Sequence, residues 1–98
     1  RPLTAEQLLG KVYYNRGVQL LRRQAFPQAL TVTWLGCKLD DQDLPAQNNL
    51  RACLNNWALS VSQRKGDFDF AIQLLDAGLR LDPEYEPFSR NLRLLRNH

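Results

Sequence analysis

The sequence predicts an all-α protein of five helices arranged as antiparallel helix-turn-helix repeats, and three observations carry that prediction. First, the chain is duplicated: offset by 42 positions, Phe26 meets Phe68, Ala29 meets Ala71, Leu30 meets Ile72, Gly36 meets Gly78, Leu39 meets Leu81 and Asp40 meets Asp82. Upstream the offset falls to 41, pairing Tyr13 with Leu54, Asn15 with Asn56, Gly17 with Ala58 and Leu20 with Val61. The second copy therefore carries one extra residue in its internal turn, near Arg64-Lys65-Gly66. Second, apolar residues recur at helical spacing along the chain. Third, the breaks between those runs hold Pro, Gly and Asp, residues that start and stop helices. Repetition at this period is the mark of stacked helical units.

The first helix is expected over about Thr4 to Gln24. Thr4 and Gln7 have capping-box spacing, and Glu6 lies in the first turn, where the helix dipole favours an acid. Leu8, Leu9, Val12, Tyr13, Leu20 and Leu21 supply its apolar face. Pro27 suits the first turn of the second helix, because its missing N–H is one that a helix start leaves unpaired in any case. Ala29, Leu30, Trp34 and Cys37 carry that helix to about Leu39. The polar run Asp40-Asp41-Gln42-Asp43-Leu44-Pro45 reads as a loop, with Asp43 capping the third helix and Pro45 in its first turn.

The third helix carries Leu50, Leu54, Trp57, Ala58 and Val61 to about Lys65, where Gly66 supplies a left-handed stop. Asp67 caps the fourth, whose predicted buried face is Phe68, Ala71, Ile72, Leu75, Leu79 and Leu81, and Asp82-Pro83 marks its exit. A fifth amphipathic segment, about Glu84 to Asn97, presents Phe88, Leu92 and Leu95. No stretch has the alternation of a strand.

A chain of 98 residues is long enough for one core and one compact body. Apolar residues at 44% and charged residues at 23% are those of a globular domain, which excludes a disordered tail or a fibre. No apolar run approaches the roughly 20 residues needed to cross a bilayer, so a soluble domain without a membrane partner is expected. The chain begins Arg1-Pro2 and contains no Met, which points to a segment of a longer polypeptide. A net charge of +3, concentrated in Arg16, Arg22, Arg23, Arg90, Arg93 and Arg96, favours acidic partners. It falls short of the dense basic stripe of a nucleic-acid binder, so nucleic acid is not the expected partner.

Cys37 and Cys53 lack metal-ligand spacing, and the only His is the terminal His98. They read as two buried or half-buried thiols, with a disulfide as the alternative. Asp40, Asp41 and Asp43 read as capping and solubilising residues, since no glycine-bearing calcium pattern accompanies them. Ser60, Ser62 and Ser89 have no activating motif. No catalytic residue, metal or cofactor is expected, and the chain does not read as an enzyme.

Tyr13, Gly17, Leu20, Phe26, Ala29 and Gly36 in the first copy, and Leu54, Ala58, Val61, Gly66, Asp67, Phe68, Ala71, Gly78 and Pro83 in the second, resemble the tetratricopeptide repeat. In that family small residues let two antiparallel helices pack closely. The resemblance covers nearly the whole chain and implies repeat 1 over about 3–41, repeat 2 over about 45–83 and a solvating cap over about 84–97. Gly36 and Gly78 depart from the Ala usual in the family, and Asp41 stands where the second copy has Pro83. The long first helices look like the 42-residue variety, whose extra turns, Leu3 to Leu9 and Ala46 to Leu50, are expected to pack on each other.

In stacked helix pairs the first helices line a concave wall. The residues this assigns to a peptide-binding groove are Lys11, Tyr14, Asn15, Val18 and Arg22, then Asn55, Asn56, Leu59 and Gln63, then Arg90, Asn91 and Leu94. Asn15, Asn56 and Asn91 recur at one place in successive helices. Their amides either bind the backbone of an extended peptide or bond to neighbouring helices and solvent. Asn56 matches the pattern of carboxylate-clamp members, whereas Tyr14 and Val18 replace the clamp's Lys and Asn. Trp57 is expected to fill the seam between repeats. Trp34, whose repeat partner is Asp76, is expected to be exposed. The expected function is a protein-interaction module that binds an extended, acidic peptide segment. The alternative is a scaffold acting by self-association, as a homodimer, or by docking to neighbouring domains; RNA binding is a third reading.

Overall fold

The computed structural model describes residues 2–97 and contains α1 (Ala5–Arg22), α2 (Phe26–Leu39), α3 (Leu44–Lys65), α4 (Phe68–Leu81) and α5 (Glu86–Arg96). Among the described residues there is no strand, and the fold is all-α with five helices. His98 lies outside the described residues. The helix signals act where the sequence places them. Thr4 Oγ1 accepts from the Gln7 N–H at 3.0 Å while the Thr4 N–H donates to Gln7 Oε1 at 3.0 Å, closing the capping box of α1. Asp43 Oδ1 accepts from the Ala46 N–H at 3.2 Å, and Asp67 Oδ1 from the Phe70 N–H at 3.1 Å. Each such cap pairs a backbone donor that the first turn cannot pair internally.

The duplication extends to backbone conformation. Gly66 turns the chain at φ +65°, and Gln24, its counterpart at offset 42, does so at φ +59°. A side chain makes this region unfavourable, and at Gln24 the turn is closed by backbone bonds, the Gln24 N–H donating to Leu21 O and the Ala25 N–H to Leu20 O, each at 2.9 Å. α2 and α4 each run 14 residues and stop alike: the Asp40 N–H donates to Gly36 O at 3.1 Å and the Asp82 N–H to Gly78 O at 2.8 Å, both residues extended.

The chain divides into two compact units, Arg1–Cys53 and Leu54–His98, with the division inside α3 and not in the Asp40–Asp43 connection; Leu44 and Pro45, expected in that loop, form the first turn of α3. In the first unit α1 packs on α2 through a face of small residues. A Cβ at Gly17 would stand 2.5 Å from Thr33 Oγ1, and one at Gly36 would stand 3.4 Å from Tyr13 Cβ. Ala29 is fully buried beside them in sequence register, and the Cys53 thiol of α3 lies 3.7 Å from Phe26 O. In the second unit α4 packs on α5, and Phe88 fills the place that a Gly78 Cβ would take, 2.7 Å from its ring carbons. Ala58, Ala71, Leu75 and Phe88 are fully buried there.

Several side chains lie elsewhere than their spacing predicts. Leu8, Leu9 and Val12 are exposed: α1 turns its glycine face toward α2, Leu8 and Val12 fall away from that face, and Leu9 lies on its flank. Leu3 is exposed too, while Ala46 and Leu50 are buried, so the extra turns of α1 are not packed through their leucines. On α4, Leu74 is buried and Leu81 is exposed in the last turn. Trp57 stacks edge-to-face on Phe70 of α4, centroids 5.3 Å apart, and is half-buried.

Gly78→Ala is expected to destabilise the protein by about 1 to 3 kcal/mol through forced displacement of the Phe88 ring, as overpacking generally does. Urea denaturation of the variant beside the parent checks it, and a companion Phe88→Leu change is expected to recover part of the loss.

Candidate functional site

The residues assigned to the groove divide between the two units. In the first, Lys11, Asn15 and Arg22 are exposed and Tyr14 and Val18 half-buried. All five lie on α1 at spacings of three and four, which keeps them on one face. Among the described residues no carboxylate pairs with Arg22.

In the second unit four assigned residues come together. Leu59 and Gln63 from α3 and Asn91 and Leu94 from α5 line a cleft of about 550 Å³, with Ser62, Phe68 and Leu95 completing its wall. Leu94 stands 64% exposed at the rim, and Leu59, Phe68 and Leu95 are half-buried. The lining is mostly apolar with one exposed amide, Gln63, which suits an apolar side chain flanked by peptide backbone. Ser62, Phe68 and Leu95 were not among the groove residues read from the sequence. Phe68 appeared there only as a core position, since a first-turn aromatic carries no signal that separates a wall from a core.

The three recurrent asparagines do not form one class. Asn15 and Asn56 are exposed, but Asn91 is buried and its Nδ2 donates to Asn55 Oδ1 at 2.8 Å. Asn55 is itself buried. For this pair, bonding between helices takes the amides, joining α3 to α5 at the end of the cleft. A buried amide left single costs its desolvation, which is why the two asparagines meet. Trp34, by contrast, is exposed, with Lys38 Nζ 4.8 Å from its ring centroid.

Charge is arranged differently in the two units. The second holds equal numbers of Lys/Arg and Asp/Glu, so the net +3 resides in the first. Arg90 Nη1 donates to Glu86 Oε1 at 2.8 Å and Arg96 lies 3.5 Å from Asp76, both solvent-facing pairs. An exposed i, i+4 pair such as Arg90–Glu86 contributes about 0.3 to 0.5 kcal/mol, so a partner carboxylate could displace Glu86 at little cost. The loop acids are engaged locally: Asp40 Oδ1 accepts from the Gln42 N–H at 3.2 Å, and Asp43 caps α3.

Both cysteines are free thiols, Cys37 half-buried and Cys53 buried. Burial pushes the Cys53 thiol up to about 11. Burial is also the main cause of a raised value at Cys37, followed by the Asp43 charge and opposed by Arg51. Neither has the depressed pKa of a nucleophilic cysteine. No protein-family model, curated protein or solved structure matches the chain.

Two expectations follow from this geometry. Asn91→Ala leaves the Asn55 carbonyl without its donor and is expected to lower stability by about 1 to 3 kcal/mol, whereas Asn56→Ala, on an exposed face, is expected to stay within about 0.5 kcal/mol. Equal effects in a denaturant titration would contradict the assignment. For Cys53, the unfolded state loses the thiol proton near the ordinary value of 9.0 and the folded state only near 11. Stability should therefore fall as pH rises through that window, and denaturation midpoints at about pH 8 and about pH 10 should show a smaller fall in Cys53→Ala.

Proposed function

We propose that this chain is a protein-interaction module, two helix-turn-helix repeats of the tetratricopeptide kind closed by α5, which binds an extended acidic peptide segment. The observation that carries the reading is the cleft of the second unit, where Leu59, Gln63, Asn91 and Leu94, all assigned to the groove from the sequence, come together around about 550 Å³. An extended peptide offers such a cleft one apolar side chain, while the Gln63 amide can both donate to and accept from the peptide backbone. Arg64 and Lys65 follow Gln63 in the last turn of α3, both exposed, and favour carboxylates on the residues flanking that side chain. The function is binding alone, without a catalytic step or a cofactor. A second reading, a scaffold that docks or self-associates, draws on the exposed indole of Trp34.

The test is an amide NMR titration of the chain with acidic peptides that carry one central Leu or Phe, against the same peptides with that residue changed to Ser. Shifts are expected at Leu59, Gln63 and Leu94 with the apolar peptides. Leu94→Glu, at an exposed position, is expected to weaken binding by about tenfold or more while leaving the denaturation midpoint unchanged. Shifts confined to the surroundings of Trp34, growing with protein concentration, would favour the scaffold.

A further inference from the structure

α1 has two faces, and its own fold uses one of them. Gly10, Gly17 and Leu20 are turned inward. Away from the two glycines Ala5, Leu8, Leu9 and Val12 follow the i, i+3, i+4, i+7 spacing of an apolar stripe, with Leu3 just ahead of the cap. Leu3, Leu8, Leu9 and Val12 are 43, 54, 47 and 61% exposed. A contiguous exposed patch of large apolar side chains marks a place of docking more often than scattered ones do. The same line continues into Arg16, Gln19 and Arg23, all exposed, with Arg16 Nη1 donating only to Gln19 Oε1 at 3.3 Å. Neither Arg16 nor Arg23 has a carboxylate partner among the described residues. The face is therefore apolar for two turns and basic for the next two.

We propose that this face of α1 docks an amphipathic helix of a partner protein, apolar over Leu8, Leu9 and Val12 and acidic where it lies over Arg16 and Arg23. The charge order selects this occupant over two others. In a second copy of the chain the one acid of α1, Glu6, lies off the stripe, so a pairing of two α1 faces in either direction leaves Arg16 and Arg23 without a carboxylate. A helix lying on a membrane carries its bases beside an apolar stripe, along its length. Here the bases stand in line beyond the apolar turns, which suits a helix with the complementary order. The proposal does not rest on the cleft of the second unit, and neither reading falls with the other.

The test uses the 98-residue chain and a synthetic helix of about 18 residues, long enough to hold helicity, with Leu at i, i+3, i+4 and i+7 and Glu at the end that meets Arg16 and Arg23. A second probe has Lys in place of those Glu, and a third is a vesicle of phosphatidylcholine with phosphatidylserine. By fluorescence anisotropy the Glu helix is expected to bind about tenfold or more tightly than the Lys helix. Leu8→Glu with Val12→Glu is expected to remove binding. Arg16→Glu with Arg23→Glu is expected to exchange the preference to the Lys helix, a result that misfolding cannot produce. Equal binding of the two helices overturns the proposal. So does binding to the vesicles alone, lost on Leu8→Glu with Val12→Glu, which would assign the face to a lipid surface. A dimer in sedimentation that the same double change dissolves would assign it to a second copy.

Discussion

Two helices approach closely only where one of them presents little or no side chain, and each unit of this chain is organised around such a place. In the first, Gly17 leaves room for Thr33 and Gly36 for the Tyr13 Cβ, with Ala29 fully buried on α2. In the second, Gly78 leaves room for the whole ring of Phe88, and Ala58 and Ala71 are fully buried. A mid-helix glycine costs up to about 1 kcal/mol of helix propensity relative to alanine. At Gly78 that loss is offset by complete burial of Phe88, since burying such a side chain contributes about 1.5 to 3 kcal/mol.

That constraint decides what is left outside. Because α1 turns Gly10 and Gly17 inward, its leucines at 8 and 9 and its valine at 12 are left exposed, so an apolar set becomes surface. In the second unit the corresponding decision goes the other way: two amides, Asn55 and Asn91, are drawn inside and close on each other. The cleft beside them is floored by half-buried Leu59, Phe68 and Leu95, shaped by the helix ends and not by a loop.

The signals that were legible in the sequence are those that act locally. Thr4 with Gln7, Asp43, Asp67 and Gly66 each settle the conformation of three or four neighbouring residues, and the helix boundaries follow from them. The left-handed turn at Gln24 is not among them: spacing carries the first helix to about Gln24, whereas α1 ends at Arg22 and the turn falls on the residue aligned with Gly66. What spacing cannot tell is which of two faces meets a neighbour. Leu8, Leu9 and Val12 share a face by spacing, and so do Gly10, Gly17 and Leu20; only the close approach of α2 chooses between them. Asn91 illustrates the same gap from the polar side. By sequence it aligns with exposed Asn56, but its environment is set by Asn55, a residue 36 positions away. Four of the assigned groove residues nevertheless reach one cleft, because a single helix face, once identified, carries its members together.

Charge and apolar surface are partitioned in a way that bears on selectivity. Arg90 and Arg96 of α5 stand near Glu86 and Asp76, and their unit is neutral as a whole. Arg16, Arg22 and Arg23 belong to the unit that carries the net +3. On the proposed reading, an acidic ligand at the cleft would find Arg64 and Lys65 in a unit of no net charge, so its affinity there would depend mainly on the apolar side chain it inserts. On the proposed docking face an acidic ligand would meet Arg16 and Arg23, which have no carboxylate partner among the described residues, and its attraction would be sensitive to ionic strength, because exposed charges are screened over about 8 to 10 Å in physiological salt. Salt dependence would therefore separate the two proposed modes: apolar insertion at the cleft would be largely indifferent to it, and recognition along α1 would not.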